Sequence, residues 1–425
     1  MRKLSIIIVF ALAPWQLSSA IAAEGSPRPT LTLSAAAREA VENNPEVSML
    51  RERLRVMQAR AKQASYLEDP ELVLQAMGVP LSNPVDFNKS DNNSIGIRQK
   101  FPFFGKLGLK EKIANHESGM TEAQLRGKER EIISKVKSAY ADLFMARKSI
   151  EILREQLEVV HSISDATGAR YQVGKVTQQD VLKSQLEQTQ LMAQLAVAEQ
   201  EAVVMEARLN SLLARSSPVP FELLPELDLA AAPVNAEALE GTALGYRPEL
   251  IEAERGLARA QGMYDLAEKN RKYPDFMLGW DYVRMPTDMT KDRYQAMASI
   301  TIPFSPWTLG RRNEEVAEAL AEIRAAKANR EAVKNMTLME IREAAAKVRA
   351  ARQSLELYRQ GILSQADLSF SAALLAYQNS RVEFTSVLEA QRALKDTRMG
   401  YYRAQVSLIQ AAADLERAMG RDSAE

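Results

Sequence analysis

The 425-residue sequence contains no cysteine and only two histidines, His116 and His161. Disulfides, a thiolate nucleophile, a lipidated cysteine and a cysteine-based zinc site are therefore excluded. Net charge is also missing: 55 basic side chains balance 55 acidic ones, so no overall field recruits nucleic acid. Aromatic residues are only 6% of the chain while charged residues are 26%, a mix poor in globular core mass and suited to long helices. Past the N-terminus no stretch offers about 18 uninterrupted apolar residues, so no transmembrane helix is expected. There is no glycine-rich phosphate loop, no Ser–His–acid set and no metal motif with ligand spacing, so neither catalysis nor a cofactor is expected. The 17 methionines are scattered without a close Met-x-x-Met cluster, and the two histidines stand far apart on one helical run, as packing or surface residues.

The residues that are present begin with an export signal. Arg2 and Lys3 precede the apolar run Leu4–Ala13, and small residues Ala20-Ile21-Ala22-Ala23 come after it. That order predicts a signal peptide over 1–23, cut after Ala22 or Ala23. The remainder is written twice, and repeats are best sought before a fold is guessed. Asn44-Pro45-Glu46-Val47 recurs as Arg247-Pro248-Glu249-Leu250, and Asp69-Pro70-Glu71-Leu72 as Tyr273-Pro274-Asp275-Phe276. Lys100-Phe101-Pro102-Phe103 before Gly105 recurs as Thr301-Ile302-Pro303-Phe304 before Gly310. Tyr171-Gln172 recurs as Tyr377-Gln378, Asp180-Val181-Leu182 as Ser386-Val387-Leu388, and Leu209 before Arg215 as Leu415 before Arg421. The order never changes and the offset stays between about 201 and 206 residues. Two repeats, 31–215 and 247–421, are thus expected around a linker or small mixed layer at 216–246.

Each repeat reads as helix, two strands, long helix, break and return helix. The first helix opens at Ser34 as N-cap, resumes after Asn44-Pro45 and runs to about Leu67; its counterpart covers Pro248 to about Lys272. The period then falls from 3.6 to 2. Strands are expected near 72–80 and 94–103, and near 275–284 and 294–304. Alternation is blurred in the first, but Ile95, Ile97 and Phe101 share a face, as do Phe276, Leu278, Trp280 and Tyr282. Ala296, Ala298, Ile300 and Ile302 make a third such set. Helical runs without proline come next, Leu107 to Tyr171 and Arg311 to Tyr377, each on the order of 100 Å at 1.5 Å per residue. Ile132, Ile133, Val136, Tyr140, Leu143 and Phe144 recur there at three- and four-residue steps, a coiled-coil or helical-barrel pattern. The runs break near Gly174 and near Asn379-Ser380.

Strand edges cannot stay unpaired in hydrocarbon, and four strands are too few to close a barrel. Chains must pool them, and about twelve is the smaller pooled count that leaves a bore. At these residues the sequence resembles the TolC-like outer membrane factor family, over about Leu31 to Gly420. The most specific matches are Arg170-Tyr171-Gln172-Val173-Gly174 with Asp180-Val181, and Phe101-Pro102-Phe103-Phe104-Gly105-Lys106. The resemblance implies a mostly α chain with a small β part, the tandem-repeat protomer of a homotrimer. Its twelve-stranded transmembrane barrel, set in outer-membrane lipid, would continue as a long α-helical periplasmic barrel.

Function would then be passive: an exit duct in the outer membrane of a Gram-negative bacterium, fed by a periplasmic adaptor and an inner-membrane pump. The resemblance also places adaptor docking at the tips, here Val173, Gly174, Lys175, Asn379, Ser380 and Arg381. Its closing latch and acidic constriction would fall on Asp180, Tyr377, Arg381, Ser386 and Glu389. Arg381 stands one residue early, with Val382 in the strict position; Ser386 replaces an acid, and the second tip has no glycine. Trp280 and Tyr282 suit an interfacial girdle, and Phe104 and Trp307 a belt at the strand–helix joint. The Phe101–Lys106 joint resembles the heavy-metal cation branch of the family, with drugs and other small molecules as the competing cargo. The rival reading is a periplasmic or secreted coiled-coil structural or adaptor protein without a channel.

Overall fold

A computed structural model describes residues 30–215, 222–223, 236–286, 292–379 and 381–421. The signal peptide expected at 1–23, much of the linker, part of the second strand loop and Ser380 lie outside the described residues. The first repeat comprises β1 (Thr30–Leu31), α1 (Leu33–Asn43), α2 (Pro45–Gln63), β2 (Glu71–Met77), β3 (Asn92–Phe101), α3 (Lys106–Gln172) and α4 (Gln178–Leu212). After β4 (Glu222–Leu223) and α5 (Ala236–Tyr246), the second repeat comprises α6 (Pro248–Lys272), β5 (Phe276–Arg284), β6 (Arg293–Ile300) and α7 (Pro306–Leu357). A π turn at Tyr358–Ile362, α8 (Leu363–Gln378) and α9 (Phe384–Met419) complete it.

Boundaries differ from the expected ones where capping and pairing override pattern. α1 is capped by Thr32 rather than Ser34: the Ala35 N–H donates to Thr32 Oγ1 at 3.2 Å. Asn44 caps α2, its Oδ1 accepting from the N–H of Glu46 at 2.8 Å and of Val47 at 3.3 Å, with Pro45 at the first helical position. α2 ends at Gln63, short of Leu67. Three strands stop at Met77, Phe101 and Ile300 rather than at 80, 103 and 304. Pro80, Pro102 and Pro303 have no N–H to donate, so the ladder ends before them. The second long helix also starts earlier than Arg311, with Pro306 in its first turn. The linker supplies β4, which pairs in parallel with β1 (Thr30 opposite Glu222), and α5.

The four longer strands form one antiparallel sheet in the order β2-β3-β5-β6. Its central pairing joins the repeats, with Ile97 opposite Trp280 and Phe101 opposite Phe276. Directly opposed residues point to the same side. Pairing therefore resolves the blurred strand: Leu72 faces Ile97 and Leu74 faces Ile95, so both leucines join the apolar face. Across β6, Phe276 meets Ile300 and Trp280 meets Ala296. The opposite face carries Glu71, Gln75, Arg98, Lys100, Asp281 and Gln295. Gly96 sits at its centre because the Asp281 carboxylate lies flat across it; a Cβ there would stand 1.6 Å from Oδ1.

α3 is the spine below the sheet. Its upper half packs on α2 and α6, its lower half on α4 and α9, while α7 packs on α6 and α9. Val136, Tyr140, Leu143 and Phe144 are fully buried where the start of α2 (Val47, Leu50) meets the end of α4 (Leu209, Leu213). Burying such a side chain stabilises by about 1.5–3 kcal/mol, so this mid-level cluster is where the staves are fastened. The Tyr140 hydroxyl donates to the Leu31 carbonyl at 2.8 Å. Around the second stave, Ala344, Val348 and Leu355 pack on Leu408, Leu415 and Met419. His116 lies against α6, where burial, then the charges of Arg255 and Lys112, hold its pKa below the ordinary histidine value. Among the described residues no helix is long and apolar enough to cross a membrane.

The π turn accounts for a change in repeat offset. Tyr171 lies 69 residues after Pro102, whereas Tyr377 lies 74 after the matching Pro303. Of the five extra residues about four make one more α turn, and one wide turn with i→i+5 bonding takes up the residue left over without rotating the helix beyond it. Deleting exposed Gln360 should therefore leave assembly intact. Deleting Ala345 instead rotates Ala351 and Leu355 out of their cluster and should cost most of the detergent-stable oligomer on gels. Loss of assembly in the Gln360 deletion would refute this account of the π turn.

Candidate duct wall, joint and tips

The wall is the sheet. Its apolar face is open to the surroundings: Leu74 is 71% exposed, Tyr294 70% and Trp280 57%. A soluble sheet would bury that face. Trp280 and Tyr282 both lie against Tyr294, with ring centroids 5.8 and 5.6 Å apart, an aromatic cluster toward one end of the band. At the other end Phe104 and Trp307 are 84% and 85% exposed. Among the described residues β2 and β6 each pair on one side only, leaving two open edges.

Strands and staves meet at a joint whose residues stand out in the sequence but whose partners do not. Lys106, nearly fully buried, donates to Asp275 Oδ1 at 2.8 Å and to the Tyr273 carbonyl at 2.9 Å. The Phe103 N–H donates to the same Oδ1 at 3.0 Å, and the Phe103 ring stacks on Tyr273 at 4.4 Å. Lys106 belongs to the first repeat and Asp275 to the second, 169 residues later. Nothing local in the sequence pairs them; only the β3–β5 register does.

The tips carry the remaining candidate residues. α3 ends in a Schellman turn: Lys175 N–H donates to the Arg170 carbonyl and Gly174 N–H to the Tyr171 carbonyl, both at 2.9 Å. Gly174 has φ +70° with open space around it, so glycine is needed there for backbone conformation and not for room. Val173 and Lys175 flank it, and Val173 is exposed. Thr177 and Asp180 form a capping box, Thr177 N–H and Oγ1–H reaching Asp180 Oδ2 at 3.1 and 2.8 Å. Tip two closes with the same six-to-one bond, Arg381 N–H to the Ala376 carbonyl at 2.9 Å. It has no capping box: Glu383 is the N-cap of α9 and makes no side-chain cap bond.

The two tips are fastened by Arg170, a residue to which sequence pattern gives no role of its own. Arg170 donates to the Tyr377 carbonyl at 3.1 Å and the Gln378 carbonyl at 3.0 Å, and its guanidinium lies 4.8 Å from the Tyr377 ring centre. Those carbonyls end α8, where a helix lacks internal donors and welcomes a cation. Tyr377 is buried with Phe384, Val387 and Ile163, and its hydroxyl has no hydrogen-bond partner among the described residues. Asp180, Tyr377 and Arg381 are not hydrogen-bonded to one another among the described residues; the Asp180 carboxylate serves its own turn. Ser386 is half-buried and Glu389 exposed on α9. A further link missed from sequence is Glu187 of α4, buried and ion-paired with Arg392 of α9; its carboxylate raises the Arg392 pKa. A cue existed only in hindsight, since a carboxylate on a buried helix stripe needs a partner.

An apolar band with open edges, fed by long staves, defines the class: a pooled-barrel duct of the outer membrane. The outer membrane efflux protein family model matches residues 36–215 and 239–421, and the chain belongs to that family. Among relatives, the cobalt-zinc-cadmium resistance protein CzcC of Cupriavidus metallidurans is 24% identical over 399 residues, 92% of this chain and 90% of that one. The outer membrane efflux protein BepC of Brucella suis is 20% identical over 400 residues, 93% of this chain and 86% of its own. The solved structure of CusC superposes with a TM-score of 0.79 at 18% identity, covering 92% of each chain. The fold is that of the TolC-like channels, mostly helical with a small sheet, and the chain is an outer-membrane exit duct of the kind used in tripartite efflux. The family is one of channels, not an enzyme class.

Replacing Arg170 with alanine removes two charge-assisted bonds to the end of α8, each about 1.5–3 kcal/mol. Amide exchange over 375–388 should then quicken by roughly tenfold or more, with the mid-level cluster unchanged. Unaltered exchange at tip two would show that Arg170 does not fasten it.

Proposed function

We propose that three copies assemble edge to edge, β6 of one protomer on β2 of the next, into a twelve-stranded pore continued by helical staves. The observation that carries this reading is the exposed apolar face between two open edges: lipid satisfies the face, and only further strands satisfy the edges. The polar face then lines the bore, and a signal peptide at 1–23 takes the chain across the inner membrane. Substrate enters from an inner-membrane pump through a periplasmic adaptor that docks on the tips, Val173, Gly174, Lys175, Asn379, Ser380 and Arg381. Asp180, Tyr377, Arg381, Ser386 and Glu389 lie at or next to those tips and are assigned to the closing constriction. The free Tyr377 hydroxyl is available to a partner from a neighbouring protomer.

The cargo we assign is heavy-metal cations, passing as substrate. The Phe101–Lys106 joint and the full-length similarity to a cobalt-zinc-cadmium resistance protein support it.

Because the chain has no cysteine, engineered cysteines report contacts without background. Facing residues keep to one side of a sheet, so Ile300→Cys should cross-link between protomers with one of Leu72→Cys, Leu74→Cys or Ala76→Cys. Dimer and trimer bands in the outer-membrane fraction are expected; monomer alone from all three pairs overturns the assembly and favours the channel-free coiled coil. A deletion strain grown on cobalt, zinc, cadmium and a drug panel should be sensitised to the metals. Sensitivity confined to drugs would reassign the cargo and leave the duct standing.

A further inference from the structure

At the base of the apolar band the strands and the first stave enclose a recess of about 540 Å³. Leu67, Phe101, Phe104, Leu107, Phe276 and Leu278 line it, and Phe101 and Phe276 are the last directly opposed pair of β3 and β5. The recess therefore opens on the side of the sheet that faces hydrocarbon, at the level where hydrocarbon ends. Its volume lies in the range of small-molecule sites, roughly 300–1,000 Å³. Gly105, with φ +82°, forms part of its rim.

One charged group outside the lining stands against Gly105 at that rim. The Lys269 ammonium rests on Gly105, 2.5 Å from where a Cβ would stand. Its neighbours already hold carboxylates: Lys106 pairs with Asp275, and Arg271 and Lys272 share Glu268. Lys269 holds no carboxylate among the described residues. An aromatic and aliphatic pocket with an uncompensated ammonium at the membrane boundary is complementary to a molecule with apolar chains and an anionic head. The opening turn of α3, which no side chain caps, adds partial positive charge beside it.

We propose that this recess is a phospholipid site: an acyl chain of an inner-leaflet lipid fills the aromatic pocket, and its phosphate pairs with Lys269. The proposal rests on the duct reading, because the recess meets lipid only if the sheet is inserted. Three such sites per assembly would anchor the joint between barrel and staves, where the strands hand over to the helices, at fixed depth.

The test is native mass spectrometry of the full-length assembly, inserted into bilayers of either phosphatidylglycerol or a galactosyl diacylglycerol with the same acyl chains, then released in mild detergent. Wild-type protein should retain up to one phosphatidylglycerol per protomer. Loss of one basic contact near a membrane surface weakens lipid binding by roughly fivefold, and the charge reversal Lys269→Glu, a change of two charges, should lower retention by about thirtyfold in all. Phe104→Asp, at an exposed ring, should do the same by placing a charge in the pocket. Lys272→Glu, on a lysine already paired, should retain phospholipid nearly as wild type does. Equal retention in Lys269→Glu and wild type, or equal retention of galactolipid and phosphatidylglycerol, overturns the site. Oligomer bands and membrane insertion are read on the same samples. An assembled, inserted duct that keeps no phospholipid sinks the site alone, whereas a chain that neither inserts nor assembles sinks the duct reading and the site together.

Discussion

Every other feature of this protein depends on the need to pair backbone groups at the sheet edges. In hydrocarbon an unpaired N–H or C=O costs several kcal/mol, and four strands per chain leave two rows of them. The apolar face fixes the medium, and the edges fix the need for neighbours. Pooled closure in turn dictates the staves. Each strand is continuous with a helix, so a ring of strands forces a ring of helices beneath it. The balance of charge and the small number of aromatics fit a chain that buries little in a globular core and much in long, thin contacts between helices.

Within the protomer the two repeats are near copies that have been specialised against one another. Tip one has a glycine Schellman turn and a capping box, both of which hold it with its own backbone and side chains. Tip two has neither the glycine nor the box and depends on Arg170 from its sibling. Likewise the joint of the first repeat is locked by Asp275 of the second, and the Gln156 and Gln391 amides meet in the buried interior between α3 and α9 at 2.7 Å. Polar contacts join the halves at top, middle and tip, while the apolar clusters supply most of the adhesion. Buried polar pairs add little net stability but penalise wrong registers, which suits staves whose alanine-rich surfaces could otherwise slide.

The π turn is a comparable local adjustment. The second stave is longer by about one α turn plus one residue; that odd residue would rotate everything below it by a fraction of a turn, and the wide turn absorbs it beside Gly400, where the Tyr358 ring packs. The second stave is therefore uniform above and below a single local irregularity.

The sequence by itself determined the duplication, the element order, the length of the staves, the tip glycine and three of the four apolar strand faces. Those are local properties: period 2 against 3.6, proline and glycine as punctuation, and a repeated order of motifs. Even the exit-duct reading was within reach, because an apolar strand face with too few strands to close is a contradiction that only pooling resolves. Tertiary structure alone decided which strand edges meet, and with them the face of β2, whose leucines are assigned by their partners Ile95 and Ile97. It also decided the Lys106–Asp275 lock, the Arg170 clasp, the Glu187–Arg392 pair and the recess under Lys269. The lock, the clasp and the pair share a physical reason: each joins one repeat to the other, across 169, 207 and 205 positions of chain. At that range a periodic pattern says which side a residue faces but not what it meets there.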